Sequence, residues 1–240
     1  MMHFYMTPGS CSTGIHILLE ELDLLFAAHI VNLPAGEHQT AAYLALNPKG
    51  TIPVLVTAHT PPEPPQVLAD FTAIAWWLAT THPKAKLLPE NPFQQAAVLE
   101  VVNHITATVH GQGFTRIFTP EKYHHGENSD AQIQQAGREL VAQGFAILAQ
   151  RLAAQGPYLF GSFSIADAAL FYVTFWADRI GLPMPTACRA HLACMLQRPK
   201  VQQVVREEGY SLSPSYAERG CEKLPNVQQS SHIKPIPTTL

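Results

Sequence analysis

The spacing of apolar residues changes once along this chain, at a proline-rich polar stretch over residues 82–92, and that change divides the molecule into two unlike parts. Before the stretch, short strand-like runs alternate with helical patterns; beyond it, strand patterns vanish. Residues 4–6 read as a first strand, broken at once by Pro8-Gly9-Ser10. A helix follows, with Ile15, Leu18, Leu19 and Leu22 at helical spacing. Residues 27–33 read as a second strand and 37–46 as a short helix. Residues 51–57 form a third strand, with Ile52, Val54 and Val56 on alternate positions. Pro61-Pro62-Glu63-Pro64-Pro65 can only be a turn, because proline donates no backbone hydrogen bond and fixes its own φ. Val67-Leu68 reads as a fourth strand, and a helix runs from near Asp70 to about His82.

The order β-α-β-α-β-β-α is a thioredoxin-like layout, one sheet with helices on its faces. The remainder is all helical: residues 94–118, 130–155, 165–180, 186–197 and 201–208. Of these, 165–180 is apolar nearly all round and reads as the central buried helix. The expected division is a thioredoxin-like domain over 1–83, a linker over 84–91, an all-α domain over 92–210, and an extended or disordered tail over 211–240. Hydrophobic residues make up 47% of the 240, enough for a substantial core, while a net charge of −3 without any basic run argues against nucleic acid or an anionic membrane as partner. The start lacks the basic residues of a secretory signal. The longest apolar stretch, 168–177, lies between Asp167 and Asp178 and suits a buried helix, not a membrane span. Four cysteines are too sparse for a disulfide scaffold, and Cys188 and Cys194 fall on different helix faces, so a reducing, cytoplasmic setting is expected.

Cys11 is the sharpest chemical candidate. It sits between the first strand and the first helix, where backbone N–H groups and the helix dipole favour a thiolate that could attack an electrophile or exchange with a disulfide. Taken alone, a cysteine is more often a small buried hydrophobe; the turn before it and the amphipathic helix after it reverse that preference. With no second cysteine nearby, a dithiol mechanism is excluded. Pro53 opens a strand after a loop, where a cis bond would expose the backbone of Ile52 to an extended peptide-like ligand. From spacing alone an ordinary trans proline is the better expectation. Asp70-Phe71-Thr72 starts a helix; by default Asp70 complements the dipole, and alternatively it grips an ammonium group while the Phe71 and Thr72 N–H groups hold a carboxylate. Ser164-Ile165-Ala166-Asp167 is a helix-capping motif that serves folding. His104 and His110 are poorly spaced for a shared metal, and a metal enzyme built on His124-His125 is a distant possibility.

Together these segments resemble the glutathione transferases, most closely the bacterial beta class. Phe4 to Ser12 resembles that class's strand and loop with its active-site cysteine, and Asn47-Pro48-Lys49-Gly50-Thr51-Ile52-Pro53-Val54-Leu55 resembles its cis-proline segment. Asp70 to Ile74 is similar to its acid-started helix, and Asn103 to His110 with Gly113-Phe114-Thr115 to the helix bearing its ligand-binding Asn and active-site His. Gly161 to Ala168 resembles the family's buried capping motif, and Arg198 to Gly209 its last helix, so the likeness spans residues 2–210. The resemblance implies a cis bond at Pro53 and glutathione as co-substrate. It implies catalytic roles for Cys11 and His110, and a glutathione site made by Ile52, Pro53, Asp70, Phe71 and Asn103. It also implies a homodimer in which glutathione is conjugated to small hydrophobic electrophiles or exchanged with disulfides, as in detoxification. The chain departs from the pattern in Phe71, where Ser or Gly is common, in Asp70, where Glu is usual, and in the loop 33–38, which offers His38 in place of a basic residue. These departures keep open an alternative, the same fold used for binding without turnover.

Overall fold

The computed structural model describes residues 1–57, 64–126 and 129–211; the expected turn at 61–65 falls partly, and the expected tail almost wholly, outside the described residues. The first half contains β1 (Met2–Met6), α1 (Ser12–Glu21), β2 (Phe26–Ile30), α2 (Ala41–Leu46), β3 (Val54–Val56), β4 (Val67–Ala69) and α3 (Phe71–Thr81). The strands make one sheet in the order β2-β1-β3-β4. β1 and β2 run parallel, with Phe4 opposite Ala28; β3 and β4 run antiparallel to their neighbours, with Leu55 opposite both Phe4 and Leu68. Because side chains alternate along a strand, Met2, Phe4 and Met6 point together into the main core with Ile15 and Ile74, on the side covered by α1 and α3. Val54, Val31 and Tyr43 make a smaller core on the other side, with Tyr5 packed against it.

The second half is helical: α4 (Pro92–Asn103), a π-helical segment (His104–Phe114), α5 (Thr115–Phe118), α6 (Asp130–Gln155), α7 (Ile165–Arg179), α8 (Thr186–Leu196) and α9 (Pro199–Glu207). The sequence pattern predicts one plain helix over 94–118. The chain instead widens to π geometry over eleven residues at its centre, a feature often found where helices carry function. α7 is the buried axis, with Leu170, Phe171 and Tyr172 wholly enclosed. Its start is fixed by Asp167, fully buried, whose carboxylate accepts the Ser164 N–H at 2.9 Å, the Ser164 hydroxyl at 2.8 Å and the Leu159 N–H at 2.8 Å. Among the described residues no helix is long and apolar enough to cross a membrane.

Two of the contacts that join the halves hold α1. Gly14 of α1 lies so close to α7 that an added Cβ would stand 2.6 Å from the Ala168 carbonyl oxygen. Arg198, just before α9, grips Glu21 of α1 through two parallel bonds of 2.7 and 2.8 Å and also donates to the Tyr158 hydroxyl. α1, with Cys11 at its head, is therefore held by the sheet on one side and by α7 and α9 on the other.

Candidate functional site

The loop after β1 is built by short-range polar bonds. The Thr7 carbonyl accepts from the Ser10 N–H and hydroxyl, and the Ser10 oxygen accepts the Ser12 N–H, which opens α1. Cys11 caps that helix, 8% exposed, and its thiol donates to the Ile52 carbonyl at 3.7 Å. Burial pushes the thiol up to about 12, and nearby Asp70 adds to the rise; backbone N–H groups of Cys11 and Ser12 pull the other way but do not win. The expectation of a standing thiolate is thus corrected. A helix start favours the anion, but removal from water costs more.

The same loop is gripped from behind by the end of the described chain. Gly9, at φ +71°, donates its N–H to Glu208 at 2.7 Å, while its carbonyl accepts from the Trp176 indole at 2.6 Å. A side chain on Gly9 would meet the Tyr210 ring, so neither the φ nor the space admits another residue. Glu208 is itself buried and also takes the Thr13 hydroxyl at 2.6 Å and His16 Nδ1 at 2.9 Å. The loop, α1, α7 and the end of α9 therefore meet around Gly9 and Glu208.

Cys11 opens onto two neighbouring cavities. The first, about 300 Å³, is lined by Cys11, Ile52, Pro53, Asp70, Phe71 and His110, with Thr106 and Ala107 of the π-helical segment. The Ile52–Pro53 bond is cis, as the resemblance implies. Among the described residues the Ile52 N–H has no hydrogen-bond partner, and the first bond of α3 runs from Ile74 back to Asp70, leaving the Phe71 and Thr72 N–H groups free. Asp70 has φ +73° and ψ 142°, a conformation that costs a non-glycine residue about 1–3 kcal/mol. Its carboxylate pairs with Lys49, a cation that the sequence reading passed over. The Phe71 ring is buried against Tyr172 at 5.4 Å, with only its edge left to the cavity.

The second cavity, about 400 Å³, runs from Cys11 and Ile52 past His38 and His110 to Phe118, Lys122 and Trp176. Burial lowers His110 to about 4, so its imidazole is neutral at pH 7. Nδ1 lies 3.3 Å from the Tyr172 hydroxyl, itself raised well above 10 by burial, and the ring stands edge-on to Trp176 at 4.9 Å. Tyr172 thus ties the ring through Nδ1, and the direction of that bond follows the tautomer of His110. His38 Nδ1 is buried without a partner among the described residues. Asn103 departs from the expectation: it is exposed on α4, one turn before Thr106, and lines neither cavity. Trp176, Glu208 and Lys49 carried no signal in the sequence, because each acts through a partner distant along the chain. A larger hollow of about 680 Å³ beside Tyr5, His29 and Tyr43 lies on the sheet's other side, away from Cys11. His124 pairs with Asp130, away from both cavities.

Comparisons with known proteins agree with this fold. The family model for the glutathione S-transferase N-terminal domain matches residues 9–81, and that for the C-terminal domain matches 130–200. Glutathione S-transferase GstA of Escherichia coli O157:H7 is 31% identical over 218 residues, covering 87% of this chain and 99% of that protein. A glutathione transferase homologue from Sulfitobacter, solved with bound glutathione, is 26% identical, with a TM-score of 0.73 over 88% of this chain and 99% of that one. A beta class glutathione S-transferase from Sphingomonas chungbukensis is 25% identical, with a TM-score of 0.73 over 87% of this chain and all of that one.

Proposed function

Since this chain belongs to the glutathione S-transferase family, with a bacterial beta-like character, we propose that it joins glutathione to small hydrophobic electrophiles, and that the Cys11 thiol serves as a hydrogen-bond donor to the glutathione sulfur. The observation that carries this reading is the protonated Cys11 thiol resting on the Ile52 carbonyl at the cavity mouth. The cysteinyl part of glutathione lies along Ile52 as an added strand, taking the free N–H and the carbonyl. Its amide N–H then replaces the Cys11 thiol on that carbonyl, and the S–H turns to the incoming sulfur. Such a donor stabilises the thiolate of glutathione, which attacks the electrophile.

Asp70 receives the γ-glutamyl ammonium, and the free Phe71 and Thr72 N–H groups receive the adjoining carboxylate, with Lys49 close enough to share it. His38 stands in the second cavity, where the glycyl carboxylate needs a partner. His110, neutral, stands beside the sulfur where the two cavities meet. Asn103 has a role only if a ligand or a second subunit reaches it. A homodimer is part of the proposal: Val67 on β4 and Phe93 on α4, the latter 82% exposed, are apolar side chains that a second copy would cover. A cytoplasmic setting is part of the same proposal.

Disulfide exchange through Cys11 is the weaker reading, because a nucleophilic role needs the thiolate that burial opposes. The test compares conjugation and exchange in wild type, Cys11→Ser and Cys11→Ala. Cys11→Ser should keep conjugation within about tenfold, and Cys11→Ala should lose about tenfold or more in kcat/KM, the worth of one hydrogen bond to a charged group. Exchange should be lost in both. A Cys11→Ala protein that conjugates as fast as wild type, or a wild type that binds glutathione without turnover, would defeat the proposal.

A further inference from the structure

Resting on the transferase reading, we propose that the electrophile this site selects is an aromatic compound that also carries a carboxylate or similar anionic group, held by Lys122. Once glutathione lies along Ile52, what remains of the second cavity is the wall made by the helical half. Its flat part is Phe118 and Trp176, edge to face at 5.5 Å, a surface that suits another aromatic ring.

Its polar part narrows to one group. Thr115 and Thr119 line the same wall, but their hydroxyls are already engaged. Thr115 donates to the Gly111 carbonyl at 2.6 Å and lies 2.6 Å from the Tyr123 hydroxyl; Thr119 donates to the Thr115 carbonyl at 2.8 Å. Arg116 is turned elsewhere, bonded to Gln112 and stacked on Tyr123 at 4.4 Å. Among the described residues Lys122 is left as the one permanently charged side chain on this wall, no acidic side chain lines the cavity, and Lys122 has no ion-pair partner. An unpaired cation beside an aromatic surface attracts a ligand of opposite charge and penalises one that is cationic.

In the step itself, the glutathione sulfur bonds to an activated ring carbon and the carbon–halogen bond breaks. The halide leaves with its electron pair, and the thiol proton has passed to solvent. The carboxylate takes no part in bond making. Lys122 thus acts on binding, and its effect belongs in KM.

The experiment uses the full chain, glutathione, a chloronitrobenzoate and the matching neutral chloronitrobenzamide, each rate divided by the uncatalysed rate with glutathione alone. The wild-type ratio of kcat/KM, benzoate over benzamide, should be about fivefold, the upper worth of a solvent-accessible ion pair. It should arise in KM and shrink with added salt. Lys122→Ala should bring the ratio to near unity, and Lys122→Arg should restore it. A wild-type ratio of one, or a ratio unchanged by Lys122→Ala, overturns the inference while the transferase reading stands. If neither aryl halide is turned over, both fall together.

Discussion

His110 shows how much a single side chain is governed by its surroundings. Burial takes it from an ordinary value of 6.5 down to about 4. In the unfolded chain the imidazole binds its proton first as pH falls, so between 6.5 and 4 the unfolded state holds more protons than the folded one. The stability contributed by neutral His110 is therefore complete above pH 6.5 and is lost as pH falls towards 4. Denaturant unfolding of wild type and His110→Gln over that window should give a steeper decline for wild type; parallel curves would contradict the assignment. Residues differ in how readable they are. Cys11 could be located from the strand, the Pro8-Gly9-Ser10 break and the helix after it, all local signals. Its protonation could not, because the burial that raises it comes from packing of distant segments, with the Ile52 carbonyl that it meets 41 residues away. Asn103 shows the reverse: the motif around it was visible, yet its exposure depends on the packing of α4.

Among the elements, α1 is the most constrained. Its Gly14 accepts the backbone of α7 at a distance no side chain allows, with the Phe71 ring on the same spot. Gly14→Ala should cost about 2 kcal/mol net, since overpacking of about 1–3 kcal/mol exceeds the helix preference of alanine. Chemical denaturation checks the cost, and a rise in Cys11 alkylation rate would show that the head of the helix has shifted. A neutral or stabilising result would mean that α1 and α7 can separate freely. Most elements could be read from their spacing, including the long α6 and the apolar α7 with its Ser164–Asp167 start. The π-helical stretch could not. Its widening leaves Ile105, Val109 and Phe114 facing inward at uneven intervals, and a choice between i→i+4 and i→i+5 bonding is made by packing, not by composition.

At the scale of the whole molecule, one apolar core runs through both halves, joining Phe4 and Ile15 to Phe171, Tyr172 and Val204. The described chain should therefore unfold in a single cooperative transition. Glu208→Ala, which strands Gly9, Thr13 and His16 without their acceptor, should cost about 3 kcal/mol and lower that transition by roughly 6–12 °C. Calorimetry showing two separate transitions would refute the shared core. The two-part plan and the succession of strands and helices were open to sequence reasoning because they rest on periodicity. The grip of Glu208 on Gly9 was not, since it joins residues 199 positions apart. That separation also orders events during synthesis. A ribosome that has made the sheet and most of the helices has still not delivered the carboxylate that Gly9 needs, so the nascent protein carries a slack thiol loop until residue 208 emerges.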